Sequence, residues 1–143
     1  MGRMARLTNA VPKVSVVFAV AAASCVFHSR HTIDFDPLEN ADRIVVRTRD
    51  AEIVKTITDP DQVRAAARLA RAKKAGWKDP LDGPWVPQYM FQFFKGSRGV
   101  GGYGIGFGYI VSDPTVNGFW SQTVPPDEIR ALAATLGLTL QER

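Results

Sequence analysis

A chain of 143 residues, 45% hydrophobic and 22% charged, has the length of one small domain with its own core. Its composition is neither disordered nor fibrous. The net charge of +4 reflects Arg3, Arg6 and Lys13: without these three of the 18 basic residues, 15 face 14 acids, a net of +1, which gives no electrostatic case for nucleic-acid binding. A single cysteine, Cys25, excludes an intramolecular disulfide and a Cys-based metal site.

Taken in chain order, residues 1–13 carry those three cations and no acid. An uncharged apolar run follows from Val14 to Ser24. A basic segment before a short apolar run reads as an export signal, since the run falls short of the roughly 20 residues of a membrane-spanning helix. Whether Met1 or Met4 begins the chain, Arg6 and Lys13 supply the charge. Ala22-Ala23-Ser24-Cys25 resembles the lipobox of bacterial lipoproteins. The resemblance implies cleavage before Cys25 and acylation of that residue, palmitate included, with anchoring at the cell envelope. Val26 rather than Asp after the cysteine resembles the members sorted to an outer membrane and facing the periplasm. Ordinary cleavage after Ala23 or Ser24, giving a free periplasmic or secreted domain, is the alternative. The expected division is a signal peptide over 1–24, a lipidated tether or flexible arm over 25–42 and a single domain over 43–143.

Residues 26–42 show no hydrophobic period, which is why an arm is expected there. Arg43–Arg49 and Glu52–Thr58 are rich in β-branched residues and flank Asp50-Ala51, predicting a hairpin. Asp59-Pro60, with Gln62 at capping-box spacing, predicts a helix start. That helix is expected to end near Ala75, with Gly76 as its stop. Val63, Ala66, Ala67 and Ala70 form its apolar stripe, and Arg64, Arg68 and Arg71 line another face. Three prolines and a glycine make 77–88 a loop. Tyr89–Phe94 reads as a strand, followed by a turn at Gly96-Ser97. Gly99–Val111 alternates glycine with Tyr103, Ile105, Phe107 and Tyr109 and reads as one continuous strand, one face bare enough for close approach by a ligand or by backbone. A turn over 113–118, a short strand over 119–124 and a helix opening at Pro125-Pro126 and ending at Gly137 complete the chain. Ile129, Leu132, Ala133 and Leu136 are that helix's buried stripe, and Leu138 and Leu140 are expected to fold back. The order β-β-α-β-β-β-α predicts an α+β fold: a two-layer sandwich of an antiparallel sheet of about five strands with two helices on one face.

Several motifs fail on their context. Gly99 to Gly104 matches G-x-G-x-x-G, but no helix follows and Val124 stands where an acid is needed, so nucleotide binding is rejected. The G-x-x-x-G spacings among Gly102–Gly108 lie in a run too short for a membrane helix. Asp34, Asp36, Glu39 and Asp42 lack the ligand spacing of a calcium loop, and a solvated acidic linker explains them better. His28 and His31 fall in the expected arm, no G-x-S-x-G is present, and helix capping accounts for Asp59/Asp61 and Asp127/Glu128. No catalytic constellation, metal site or cofactor is therefore expected. Trp77, Trp85 and Trp120, with Tyr103, Tyr109 and the glycines Gly104 and Gly106, are candidate contacts for a glycan or peptide. Covering the open end of the sheet is the simpler role for Trp77 and Trp85. Arg64, Arg68 and Arg71 are candidates for an acidic protein partner or a solvated face. The expectation is a non-enzymatic envelope protein acting through protein contacts, as an accessory subunit, inhibitor or immunity-type partner. A glycan- or peptide-binding module is the alternative.

Overall fold

The computed structural model describes residues 31–80 and 85–142. The signal segment, His28 and Cys25 lie outside them. Among the described residues no helix is long and apolar enough to cross a membrane.

The fold is an α+β sandwich. Its main sheet has six antiparallel strands in the order β3-β2-β5-β6-β7-β8. These are β2 (Arg43–Thr48), β3 (Ile53–Ile57), β5 (Tyr89–Lys95), β6 (Arg98–Gly106), β7 (Tyr109–Ser112) and β8 (Ser121–Thr123). A second sheet pairs β1 (His31–Thr32) with β4 (Ala75–Trp77). Helix α1 (Pro60–Ala72) and helix α3 (Pro126–Leu136) pack on one face of the main sheet, and α2 (Pro114–Asn117) is a single turn between β7 and β8.

Both long helices begin, and α3 ends, on the chemistry read from the sequence; α1 instead ends at Ala72, with Lys73 as its C-cap, and Gly76, expected as its stop, lies within β4. Asp59 accepts hydrogen bonds from the amides of Asp61 (2.8 Å) and Gln62 (3.0 Å), a cap that contributes about 1 kcal/mol. The Gln62 side chain does not complete a capping box; it donates to the Thr135 carbonyl at 2.7 Å and ties α1 to α3. Val63, Ala66, Ala67 and Ala70 are buried, as are Ile129, Leu132, Ala133 and Leu136. Gly137 closes α3 at φ 65°, a left-handed conformation that glycine adopts without a Cβ clash. Leu138 and Leu140 pack against the core.

Alternation along β2 sends Ile44 and Val46 inward, where they face Phe93 and Phe91 across the β2–β5 ladder. Tyr103 lies opposite Phe91 on the same inner face, and its hydroxyl donates to the Ala66 carbonyl at 2.8 Å, joining sheet to helix. Burial without a charged neighbour raises the Tyr103 phenol well above its ordinary pKa.

Two further expectations are corrected. The stretch 99–111 is not one strand. It folds back at Phe107-Gly108, with Gly106 paired to Tyr109 and Gly108 at φ 78°. A two-residue turn needs that positive φ, and glycine supplies it. The sheet therefore has six strands rather than about five. The arm expected over 25–42 is, from His31 onward, part of the fold. Ile33, Phe35 and Leu38 are buried in the core, and the Ile33 amide donates to the Lys74 carbonyl at 2.9 Å.

Candidate functional site

With both long helices on one face of the main sheet, the other face is where a partner can meet it. Its two halves differ. Over β6 and β7 the glycines are covered by the chain itself. Tyr109 crosses Gly106 so closely that a Cβ there would overlap its ring. A Cβ on Gly104 would lie 2.6 Å from Met90 Sδ and 2.7 Å from both Pro87 Cβ and Val111 Cγ2. The Tyr109 hydroxyl donates to the Val86 carbonyl at 2.8 Å, and Trp85 packs edge-on against the Tyr109 ring, with centroids 5.1 Å apart. The bare glycine face is thus the seat of residues 85–87 and Tyr109, an aromatic covering of glycines. Gly104 and Gly106 are buried and present nothing to a ligand.

The tryptophans divide by depth. Trp77 is fully buried, its indole N–H donating to the Lys73 carbonyl at 2.6 Å, and Tyr103 is equally interior. Neither is available to a glycan or peptide. Trp120 is half-buried, with His31 stacked on its ring at 4.3 Å and 6° between planes and its N–H donating to the Asn117 carbonyl. Trp85 is half-buried. The surface expected from these residues is therefore largely interior.

The arginine stripe on α1 is mostly paired. Arg64 pairs with Asp61. Arg71 contacts Asp36 at 3.2 Å and Glu39 at 3.1 Å, and Lys74 reaches Asp36 at 2.7 Å. The Lys74 ammonium and then the Arg71 guanidinium hold the Asp36 carboxyl below its ordinary pKa. Two of the acids read as a solvated linker, Asp36 and Glu39, therefore partner cations on α1 and just beyond it. Asp42 accepts from the Gly96 amide at 2.8 Å. Only Arg68 of the stripe is exposed and without a side-chain partner among the described residues.

The open half of the helix-free face, over β3, β2 and β5, carries what the sequence reading passed over. Arg43, Val45 and Arg47 point the same way along β2, opposite to Ile44 and Val46. Phe94 lies across from Arg43 and Gln92 across from Val45. The Arg43 guanidinium sits 4.7 Å from the centre of the Phe94 ring. Arg47 donates to Gln92 Oε1 at 2.9 Å and to the Ala51 carbonyl at 3.0 Å, so its planar group is held in place. Neither arginine is paired with a carboxylate among the described residues. On the edge strand, Ile53 is 57% exposed and Val54 48%. Two preset guanidinium groups with apolar neighbours form a surface complementary to an acidic polypeptide.

Among the described residues no group of three or more His, Cys, Asp and Glu is placed to hold a metal ion. Comparison of the chain with protein families, with characterised proteins and with solved structures finds no match.

Proposed function

We propose that this protein is a small, exported, non-enzymatic binding protein of the bacterial envelope, anchored through Cys25, that engages an acidic protein partner through the open half of its helix-free sheet face. The carrying observation is the pair Arg43 and Arg47, fixed by Phe94 and by Gln92 and the Ala51 carbonyl, with no carboxylate partner among the described residues. A guanidinium already held in one conformation loses less freedom when a carboxylate docks. Half-buried Val45 and exposed Ile53 and Val54 offer apolar area beside the charges. An accessory subunit, an inhibitor and an immunity-type partner all fit such a surface.

The test is charge reversal. The doubly substituted Arg43→Glu/Arg47→Glu protein is expected to lose at least about tenfold in affinity for the envelope protein that the wild type captures. The wild-type complex is expected to weaken with added salt. Arg68→Glu on α1 should bind normally. Equal capture by all three proteins would contradict the reading. The anchoring part has its own test. Expressed from the full chain in bacteria, the wild type is expected to incorporate labelled palmitate and Cys25→Ala is not. A cleaved but unlabelled wild type would mean a free exported domain, and an uncleaved one would remove the envelope altogether.

A further inference from the structure

Just beyond Arg47, the end of the main sheet opens into a cleft of about 650 Å³, within the roughly 300–1,000 Å³ of small-molecule sites. It is walled by the β2–β3 turn, the chain leading into β5, the β6–β7 turn and the segment after α3. Two of these walls are stitched together. Gln88 Nε2 donates to the Gln141 carbonyl at 2.6 Å, and Gln88 Oε1 accepts from the Gln141 amide at 2.8 Å. The Tyr89 hydroxyl donates to the Thr139 carbonyl at 2.8 Å. These contacts hold the C-terminal segment as a fixed wall and engage those polar groups internally.

Three polar groups of the lining are not so engaged. The Arg49 guanidinium and the Asp50 carboxylate stand exposed on one rim, with no side-chain hydrogen bond or ion pair among the described residues. Beside them Thr48 Oγ1 is buried with no hydrogen-bond partner among the described residues, an unmet bond that carries a cost. The aromatic surfaces in the lining are Tyr89, Phe107 and Tyr109.

We propose that this cleft binds a short, neutral oligosaccharide. An apolar ligand would strip water from Arg49 and Asp50 without replacing their hydrogen bonds. A phosphate or other anion that gains from Arg49 meets Asp50 next to it, and a cation meets the reverse. A sugar matches both halves of the lining. Its hydroxyls donate to the Asp50 carboxylate and accept from Arg49, while its C–H face lies on an aromatic ring. A wall fixed beforehand lowers the ordering cost of binding.

The experiment titrates the wild-type protein with maltotriose, cellotriose and chitotriose, and separately with a sulfated disaccharide and AMP as charged probes, following amide shifts by NMR. At least one neutral trisaccharide is expected to bind saturably at millimolar concentration or below, with shifts centred on residues 48–50, 86–89 and 107–109. Asp50→Asn and Phe107→Ala are each expected to weaken it by at least about tenfold, and Arg68→Glu on α1, away from the cleft, to leave it unchanged. No saturable binding of any neutral trisaccharide, shifts mapping elsewhere, or tighter binding of a charged probe would overturn the proposal. Should Phe107→Ala fail to fold, the wild-type shift map and Asp50→Asn decide alone.

Discussion

Phe35→Ala is expected to lower the unfolding free energy by about 3–5 kcal/mol, read as a reduced midpoint in urea or thermal unfolding. Phe35 is 2% exposed and sits in the central aromatic cluster, its ring centre 5.6 Å from Trp77 and 6.3 Å from Tyr103. Truncation removes its buried surface and leaves a cavity among groups held by other bonds. Trp77 is fixed by the Lys73 carbonyl and Tyr103 by the Ala66 carbonyl, so collapse into the space is limited. Against a total stability of about 5–15 kcal/mol the effect is large. A flexible arm at this position would give a change near zero, so the variant separates the two descriptions of 31–42 directly.

Gly104→Val should also be severely destabilised, by about 3 kcal/mol, with reduced yield of folded protein. Valine suits a strand by propensity, and Gly104 has no positive φ. The penalty is therefore steric. The first added carbon already falls 2.6–2.7 Å from three different side chains. Met90 can swing aside, but Pro87 is a ring on a chain pinned by Tyr109, and Val111 is a packed strand residue. Gly99→Ala provides the contrast, because its nearest neighbour would be Phe94 Cε1 at 3.9 Å, and it should unfold close to the wild type. Equal tolerance of both changes would mean that residues 85–87 do not lie over the glycines.

What the sequence made legible was what local chemistry decides. Asp59-Pro60 announces α1, Gly137 stops α3, and the apolar stripes of both helices are buried as spaced. The folding back of Gly99–Val111 was not legible, because a two-residue turn leaves the alternation of large and small residues unbroken while exchanging the faces. Ile105 and Tyr109 share a parity in sequence, yet one enters the core and the other crosses the glycines on the opposite side. The burial of Ile33, Phe35 and Leu38 was hidden because they follow no single period. Their acidic neighbours find cations on α1 some 35 residues later.

Aromatic content misled for a related reason, since it does not encode depth. The indole N–H of Trp77 finds a carbonyl four residues away, which lets a side chain suited to an interface be buried completely. The arginines of β2 carried a readable signal in the alternation of Arg43, Val45 and Arg47 with Ile44 and Val46. That pattern marks one side of a strand as polar. It does not say that the polar side stays open, because that depends on where α1 and α3 pack.

Recognition through the open half of the sheet is tested most directly by a photo-crosslinking amino acid placed in living cells at Val45 in one strain and at Arg68 in another. A partner seated on the sheet gives a discrete protein adduct at position 45, absent at position 68 and lost when Arg43 and Arg47 are reversed in charge. An adduct at position 68 with none at 45 would move the interface to α1 and contradict the account.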